Sequence, residues 1–460
     1  MSLLQEENEE DPSFISEFVR WGSFNDMLLE PVKVNEKFIP DTFLKHPSCT
    51  KNASLLITDA EENETTFLIR PFVRQHYLTD FSYSQAKLIC NFSQQYNWGY
   101  LDSEILSEFL HREVCIPRSS TKKVVLNVMP KMLNVLKVVN TQDPRFSSEL
   151  VISGSYNDKL QVSEPDEFDF LVPLKDFPKI IPPCLPEHLA KSDTVPLVVF
   201  PLKAETASPF SWEAEDVSDP LRANEYLVNP IKVMCIFKKY VQTAVQHLEL
   251  TDNITVCKHY QGTPALTLIV QQGNTKTKVD LVPFVKDPYN YWHLAWPREG
   301  SKWPSAEKIE ECKMMGVDLV AKNTVFWRYS FSRIENFLLE SIDADGGCRK
   351  DSLRILKKIQ IDHWELQYKK VLASYHLKLT LFWACEKHPN SSSWSDLAMS
   401  FRRLVDCLIG HLSKMHLPHY FVDEVNMFRT DNDSKVKLQE LCEEVKKLKR
   451  NPKYYLSTEA

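Results

Sequence analysis

Glycine is scarce in this chain: only 10 of its 460 residues are glycine, whereas average proteins contain about 7%. The glycines show neither the GxGxxG spacing of a dinucleotide-binding turn nor the GxxxxGK[ST] spacing of a phosphate-binding loop. The sequence therefore excludes a Rossmann fingerprint and a Walker loop. Any nucleotide site must be built in another way.

The chain also lacks paired cysteines and long apolar runs. Its 11 cysteines are scattered with no CxxC spacing, and an odd number argues against a closed disulfide framework. No stretch approaches the roughly 18 apolar residues of a membrane span. The acidic start, MSLLQEENEEDP, does not resemble a secretory signal. We therefore expect a cytoplasmic protein without a membrane partner.

The composition does not favour nucleic-acid binding through bulk charge. The chain has 55 Lys and Arg against 62 Asp and Glu, a net charge of −7. A nucleic-acid surface would therefore need a local basic face. With 43% hydrophobic and 25% charged residues, global disorder is excluded, and the length allows two or three domains.

Hydrophobic periodicity divides the chain into three parts. Residues 1–100 mix acidic runs with short apolar patches, and we treat them as an N-terminal extension of unknown fold. Residues 101–340 begin with helical spacing, including a long amphipathic stretch that contains Pro130, and continue as short strands. Two of these strands, 265–270 and 277–284, are separated by QQGN at 271–274, which predicts a hairpin turn. Residues 341–460 are dominated by helical periodicity. The pattern predicts an α+β fold with a mixed β-sheet lobe and an all-helical C-terminal lobe.

Carboxylates interrupt two of the predicted strands. Glu167 and Asp169 are two residues apart on one strand, so their side chains share a face, while Phe168 and Phe170 share the other face and can anchor the strand. Asp280 interrupts a second apolar strand. Carboxylate oxygens are the ligands that Mg²⁺ prefers, together with water and substrate phosphate. A Glu-x-Asp pair alone more often marks a solvated face.

A Gly154–Ser155 turn precedes these carboxylates. Glycine lets backbone N–H groups approach a phosphate closely, and the serine hydroxyl adds a donor. Alone, a Gly-Ser pair is usually only a turn. The ordered occurrence of turn and carboxylates predicts a two-metal nucleotidyl-transfer site, in which Glu167, Asp169 and Asp280 are both the catalytic groups and the ligands of Mg²⁺ or Mn²⁺.

These ordered motifs resemble those of the cyclic GMP-AMP synthase-like receptors, within the male-abnormal-twenty-one nucleotidyltransferase family. The resemblance covers roughly residues 122–428. Its matching segments are GSY at 154–156, PDEFD at 165–169, GTPALTL at 262–268, VD at 279–280, WRYSFS at 327–332, CRKD at 348–351, SYHLK at 374–378, and YF at 420–421 leading to NMF at 426–428.

The resemblance implies a two-lobed nucleotidyltransferase fold with its active site between the lobes. It supports the triad Glu167, Asp169 and Asp280 as metal ligands. It also implies nucleotide-binding roles for the phosphate-contacting pair Gly154 and Ser155, the acceptor-side residues Arg328 and Ser330 with Ser332 nearby, the triphosphate contacts Lys357 and Ser374, and the base-stacking ring of Tyr375.

The implied activity is the joining of two nucleoside triphosphates (ATP, GTP or a pyrimidine triphosphate) into a cyclic dinucleotide. Such a product is a second messenger of innate antiviral immunity, and a downstream receptor would meet this protein only through the product. Activation by nucleic acid is part of the same implication.

One departure from the family bears on the activating nucleic acid. The vertebrate synthase has a His-Cys-Cys-Cys zinc ribbon before the CRKD segment, whereas this chain has only residues 343–347 and the single Cys348 there. One cysteine cannot form a four-ligand zinc site, so we expect no zinc. Double-stranded RNA is therefore expected in preference to DNA, on a surface formed by Lys122, Lys123, Lys131 and Lys137, for which ordinary surface lysines are the alternative.

Three other interpretations stay open from the sequence. Four residues could be zinc ligands, although a structural role is favoured: Cys407, His411, His416 and His419. A non-catalytic scaffold or nucleotide-binding protein is the main alternative function, since several family relatives resemble developmental scaffolds. Nucleotide addition to an RNA end would keep the chemistry and change the acceptor.

Overall fold

The computed structural model of the protein describes most of the chain after residue 97. The described ranges are 98–115, 118–163, 167–175, 197–198, 201–203, 225–227, 229–251, 253–258, 263–286, 296–322 and 326–457. Only the backbone is described for 118–124, 197–198, 201–203, 225–227 and 423. The N-terminal extension expected at 1–100 therefore lies almost entirely outside the described residues.

A mixed β-sheet dominates the first half of the described fold. The strands of this half are β1 (Val151–Ser153), β2 (Glu167–Pro173), β3 (Leu197–Val198), β4 (Pro201–Lys203), β5 (Glu225–Leu227), β6 (Ile254–Val256), β7 (Leu266–Gln272), β8 (Thr275–Lys286), β9 (Asp318–Ala321) and β10 (Trp327–Ser330). Eight of them form one sheet in the order β1-β2-β8-β9-β10-β3, with β7 paired to β8 and β6 paired to β7. Strands β4 and β5 pair with each other.

The centre of the sheet is a parallel pair between two antiparallel neighbours. Strands β2 and β8 run parallel, and their register sets Asp169 directly beside Asp280. Strand β1 is antiparallel to β2, and β7 is antiparallel to β8. Strands β7 and β8 form the hairpin that the sequence predicts, and its turn includes Gly273 at a φ of +56°, a conformation that glycine adopts without steric cost.

Alternation along β2 determines which residues anchor the strand. Phe168 and Phe170 are each 1% exposed in the core, and their rings lie 6.3 Å apart, centroid to centroid. Glu167 is exposed and Asp169 half-buried on the opposite face. This confirms the predicted division, in which one face of the strand anchors it and the other carries carboxylates.

Among the described residues, six helices accompany the sheet. They are α1 (Ser103–Phe109), α2 (Arg118–Gln142), α3 (Gly154–Asn157), α4 (Pro230–His247), α5 (Ala306–Met315) and α6 (Ser332–Glu340). Helix α1 continues as a π-helical turn, Leu110–Val114. Helix α2 contains Pro130, as the sequence predicts, and it packs against α4. Helix α4 begins where the Asn229 side chain accepts a hydrogen bond from Lys232 N–H, which satisfies an end-of-helix donor.

The C-terminal lobe is helical, as predicted. Its helices are α7 (Arg349–Ile359), α8 (Glu365–Tyr368), α9 (Ser374–Lys387), α10 (Leu397–Lys414), α11 (Asn432–Arg450) and α12 (Pro452–Leu456). Helix α10 contacts α7, α9 and α11. The lobe also contains one short antiparallel pair that the periodicity did not indicate, formed by β11 (Pro418–His419) and β12 (Val422–Asn426).

The first described residues pack on the helical lobe. The Trp98 ring lies edge-on against Phe401, with 6.4 Å between centroids. The backbone N–H of Gly99 donates to the Lys449 carbonyl at 2.9 Å, and Ser103 Oγ donates to Asp396 Oδ2 at 2.6 Å. The end of the expected 1–100 extension and the start of the expected 101–340 domain thus both contact the C-terminal lobe. The domain boundaries themselves stay a prediction.

One large apolar cluster joins the sheet, the surrounding helices and the helical lobe. A second, small cluster of Leu171, Phe284 and Val320 lies apart from it, on β2, β8 and β9. None of the described helices is both long and apolar enough to cross a membrane.

We expect Phe168→Ala to lower the free energy of unfolding by about 3–5 kcal/mol, because the ring is removed from a packed core and leaves a cavity. Leu366→Ala is the control, since this side chain is 94% exposed and its removal should change stability by no more than about 0.5 kcal/mol. Urea denaturation of both variants measures the difference. Equal losses would contradict the anchoring role of Phe168.

Candidate active site

Three carboxylates converge at the centre of the sheet. Glu167 and Asp169 project from β2, and Asp280 projects from β8 beside Asp169. One carboxylate oxygen from each lies within 4.8 Å of the others. Among the residues that the structure describes, this is the one group of three or more His, Cys, Asp or Glu side chains close enough to share an ion. The predicted triad is thus assembled by strand register.

Gly154 lies against this triad. A Cβ atom placed on Gly154 would lie 1.9 Å from Asp169 Oδ2, and the residue has a φ of +71°. Both facts require glycine, since no other side chain fits this space or readily adopts this backbone conformation. Gly154 is the first residue of the one-turn helix α3, so the predicted turn is helical and touches the carboxylate.

The two strands hold Asp280 and Glu167 through polar neighbours. Thr267 on β7 donates its hydroxyl to Asp280 Oδ1 at 2.6 Å. Lys278, two residues before Asp280 on the same face of β8, places Nζ 2.5 Å from Glu167 Oε1 and 3.6 Å from Asp280 Oδ2. Thr267 on β7 and Lys278 on β8 thus hold two of the three carboxylates, those of Glu167 and Asp280.

Asp169 is the carboxylate most affected by its surroundings. Burial, and then the negative charges of Glu167 and Asp280, raise its pKa to about 6. Lys278 and Lys378 act in the opposite direction. When burial and like charges raise the pKa of a carboxyl group, a bound cation stabilises its ionised form. The donor set of three oxygens therefore fits Mg²⁺ or Mn²⁺.

Ser155 and Lys357 lie beside the triad. Ser155 follows Gly154 in α3, and its carbonyl accepts a hydrogen bond from Leu160 N–H at 2.9 Å. Lys357 on α7 donates from Nζ to the Leu160 carbonyl at 3.1 Å. Burial and the charge of Lys378 lower the pKa of Lys357, whereas Asp158 and Asp169 act to raise it. The predicted triphosphate lysine therefore lies within the electrostatic field of the carboxylates.

A buried ion network connects α3 with the helical lobe. Lys378 on α9 places Nζ 2.6 Å from Asp158 Oδ2 and 3.3 Å from Glu335 Oε2. The side chains of Asp158 and Glu335 are 0% and 4% exposed. When its amide nitrogen faces Asp158, Asn336 donates to Asp158 Oδ1 at 2.6 Å. The residue that ends the Gly154 turn is thus tied to two other elements.

Arg328 and Tyr375 lie together at the other end of this network. The Tyr375 hydroxyl donates to Glu335 Oε1 at 2.7 Å and lies 3.0 Å from His419 Nε2. Burial lowers the pKa of Arg328, while Tyr375 acts to raise it. Within the described part of the chain, no carboxylate pairs with the Arg328 guanidinium. The Arg328 side chain is half-buried, so an anionic or polar partner would offset the cost of burying its charge.

The predicted serines lie nearby with modest contacts. Ser330 Oγ and Ser332 Oγ are 3.1 Å apart, just beyond Arg328 on the chain. Ser374 Oγ donates to Gln360 Oε1 at 3.3 Å and is solvent-exposed. The partly buried ring of Tyr375 follows it on α9. Nucleotide contacts for these residues, and base stacking by Tyr375, stay predictions.

The four lysines predicted for duplex binding all lie on α2. The side chains of Lys122 and Lys123 are outside the described residues. Lys131 donates from Nζ to Asn127 Oδ1 at 2.5 Å, and Lys137 is exposed. The duplex-binding role of these four lysines stays a prediction.

The possible zinc ligands have separate structural contacts. Cys407 Sγ donates to the Thr380 carbonyl at 3.7 Å, and His411 Nδ1 lies 3.0 Å from the His416 carbonyl. The fourth of them, His419, meets Tyr375 instead. These contacts favour the structural interpretation.

The loop before α7 is organised by an arginine. Arg349, 3% exposed, binds both Asp345 oxygens at 2.7 and 2.8 Å and the Ile342 carbonyl at 3.0 Å. Asp343 accepts from the backbone N–H groups of Arg349 and Lys350 at 2.9 and 2.8 Å. An ion-pair and hydrogen-bond network thus holds residues 342–350 together.

Sequence reasoning missed several residues of the site. Lys278 could have been found by strand alternation, because it lies two residues before Asp280. Lys378 was part of a matching segment, but no role was attached to it. Thr267 likewise lies in a matching segment without an assigned role, whereas Asp158 and Glu335 gave no sequence signal, since their importance arises from contacts between distant elements.

Comparison with known proteins identifies two adjoining domains. A family model described as "Mab-21 protein nucleotidyltransferase domain" matches residues 156–341. A second, described as "Mab-21 protein HhH/H2TH-like domain", matches residues 348–447. Together they cover more than half of the chain, including all three carboxylates.

Two curated relatives carry the same name. "Protein mab-21-like 3" of Danio rerio is 34% identical over 229 residues, which is 49% of this chain and 58% of that protein. "Protein mab-21-like 3" of Xenopus laevis is 28% identical over 371 residues, which is 76% of this chain and 96% of that protein. The match thus spans little more than half of the Danio rerio relative and nearly all of the Xenopus laevis one.

We expect Gly154→Ala to weaken Mn²⁺ binding by at least about tenfold, because the new methyl group must displace Asp169 Oδ2, and a carboxylate is a strong cation ligand. Gly273→Ala is a matched control. Gly273 also has positive φ, but a Cβ there meets nothing within 4 Å. Isothermal titration with Mn²⁺ compares them, and equal affinities would contradict the proposed contact.

We expect Lys378→Met to lower the free energy of unfolding by about 3–5 kcal/mol, because two buried carboxylates lose their shared cation. Lys446→Met removes an exposed partner of Glu443 and should cost no more than about 1 kcal/mol. Adding Glu335→Gln to Lys378→Met should cost less than the sum of the single changes, since the residues are coupled. Additive losses in urea denaturation would argue against the network.

Proposed function

The chain belongs to the Mab-21 family and contains its nucleotidyltransferase domain, and from this we propose that it is a metal-dependent nucleotidyltransferase. We further propose that it joins two nucleoside triphosphates into a cyclic dinucleotide, each phosphodiester bond forming when a ribose hydroxyl attacks an α-phosphate and pyrophosphate leaves. This finer activity rests on the sequence resemblance to the cyclic GMP-AMP synthase-like receptors. A cyclic dinucleotide made in response to nucleic acid would serve as an innate immune signal.

The observation that carries this proposal is the convergence of the triad with Gly154. Three carboxylate oxygens lie within 4.8 Å of one another. Gly154 leaves no room for a side chain beside Asp169. Oxygen ligands next to a close-approach glycine are what a cation-assisted reaction of a phosphate requires.

Each residue of the triad has a part that follows from its position. Glu167 and Asp169 share a strand face and would hold divalent ions together, and Asp280 would complete one ligand set. When bound, divalent ions neutralise phosphate charge and favour deprotonation of the attacking hydroxyl. Asp280, fixed by Thr267, is also positioned to accept a proton from that hydroxyl.

The remaining residues would position the two nucleotides. Gly154 and Ser155 offer backbone N–H groups and a hydroxyl to the phosphates, and Lys357 adds a positive charge. Arg328, which pairs with no carboxylate among the described residues, would supply its guanidinium to the acceptor nucleotide. Tyr375, with its hydroxyl fixed by Glu335 and His419, offers a ring for base stacking. Catalysis would then consist mainly of positioning and charge stabilisation.

Double-stranded RNA is the activating ligand we propose, in preference to DNA. Arg349 pairs with the carboxylates of Asp343 and Asp345, and the segment 343–347 contains no cysteine or histidine. Duplex RNA is recognised by shape and phosphate contacts, for which lysines along α2 would serve. Activity that does not respond to any duplex would refute this part alone.

A non-catalytic nucleotide-binding or scaffold function is the second candidate. Lys278 contacts two of the three carboxylates, which is one way to keep such a cluster stable without metal. The names of the two relatives fit either function. Nucleotide addition to an RNA end is a third possibility that uses the same site.

Incubation with labelled nucleoside triphosphates and Mg²⁺, with and without duplex RNA or DNA, separates these functions. A small, nuclease-resistant product identified by mass analysis supports a cyclic dinucleotide. Extended RNA supports end addition. Absence of any product under all conditions supports the binding-only function.

We expect Asp169→Asn to reduce product formation by at least about 10²-fold, because asparagine keeps the shape but removes the charge that binds the cation. The fold should be retained, since Asp169 is not part of the apolar core. Asp433→Asn, at an exposed position of α11, is the control and should leave the rate unchanged. Normal turnover by Asp169→Asn would refute the assignment of the triad.

A further inference from the structure

Lys278 lies inside the ligand set that the proposed function requires. Its Nζ is 2.5 Å from Glu167 Oε1 and 3.6 Å from Asp280 Oδ2. The contact joins the two central strands, because Lys278 is the register partner of Glu167. An ammonium group therefore contacts two of the three carboxylates that are expected to bind a divalent ion.

We propose that Lys278 is a resident cation of the triad that competes with the divalent ion for Glu167 and Asp280. This rests on the proposed function, because it takes the triad to be a cation site. Lys278 would then be a positioning residue that sets the concentration of divalent ion at which the site fills.

Electrostatic repulsion explains why the triad needs a compensating cation in the absence of a divalent ion. Three carboxylates within 4.8 Å of one another repel strongly, and repulsion grows as water is excluded. A lysine compensates part of this charge and stabilises the empty site. The same ammonium group repels an incoming divalent ion and occupies its ligand atoms.

Exposure makes this competition reversible. The side chains of Lys278 and Glu167 are 43% and 45% exposed, and exposed ion pairs are weak. A divalent ion, with twice the charge, can displace the ammonium group from Glu167. By contrast, Lys378 is bound to two buried carboxylates and is not free to leave.

The strand itself provides a matched control residue. Lys276 lies on the same face of β8, two residues before Lys278, and is exposed. At about 3.3 Å per residue, its Cα is roughly 13 Å from that of Asp280. Replacing Lys276 changes the net charge by the same amount but removes no contact with the triad.

The test measures Mn²⁺ affinity of the metal-free full chain, without nucleotide, by electron paramagnetic resonance of free Mn²⁺. We expect Lys278→Met to bind Mn²⁺ about tenfold more tightly than the unaltered chain, because one competing charge is gone. Lys276→Met should change affinity less than about twofold. Lys278→Arg, which keeps the charge, should bind like the unaltered chain.

A second measurement separates competition from structural damage. In EDTA, Lys278→Met should melt at a lower temperature than the unaltered chain, because repulsion in the triad is no longer compensated. On addition of Mn²⁺, its melting temperature should rise by more than that of the unaltered chain, as tighter binding requires. Damage to the fold would lower both the melting temperature and the affinity.

The outcomes distinguish this proposal from the proposed function. If the unaltered chain binds Mn²⁺ and Lys278→Met binds it equally or more weakly, the competition is refuted. The proposal that the triad is a metal site then still stands. No binding by any variant refutes both. Binding by Lys278→Met alone supports competition in its strongest form.

Discussion

Repulsion among three carboxylates is the constraint around which the rest of the site is built. The register of the parallel strands β2 and β8 places Asp169 beside Asp280. Phe168 and Phe170 are buried on the opposite face of β2, so the strand cannot move to separate the two carboxylates. Burial and like charge raise the pKa of Asp169 to about 6. Such a cluster is stable only if nearby cations compensate it. Lys278 at the rim and the more distant Lys378 provide that compensation within the chain itself.

The pairing of buried carboxylates with a lysine also connects the sheet to the helical lobe. Lys378 projects from α9 and binds Asp158, which ends the Gly154 turn, and Glu335, which also holds Tyr375. One ammonium group thus fixes the Gly154 turn relative to the ring of Tyr375. Buried ion networks contribute little net stability compared with apolar packing. We infer that this one is retained for the geometry that it specifies.

The alternation of residues along the strands and the turn residues predicted the local structure of the sheet. They did not predict the contacts between segments that are distant in sequence. Alternation in residues 167–170 predicted which face carries carboxylates, and the hairpin over β7 and β8 followed from its turn. The approach of Gly154 to Asp169 and the meeting of Asp158 with Lys378 arise from tertiary packing between segments far apart in sequence. The pair β11 and β12 escaped prediction because its strands are short and lie within a helical pattern.

The energetic cost of the triad bears on whether the site is catalytic. A protein that only binds partners would gain stability by replacing Asp169 with an uncharged residue, since this would remove like-charge repulsion and a buried charge. It would have no use for a glycine packed against that side chain, at a position where a Cβ atom would lie 1.9 Å from Asp169 Oδ2. This chain keeps the repulsive cluster and the glycine together. That combination favours a site that handles phosphate and divalent ions over a scaffold surface.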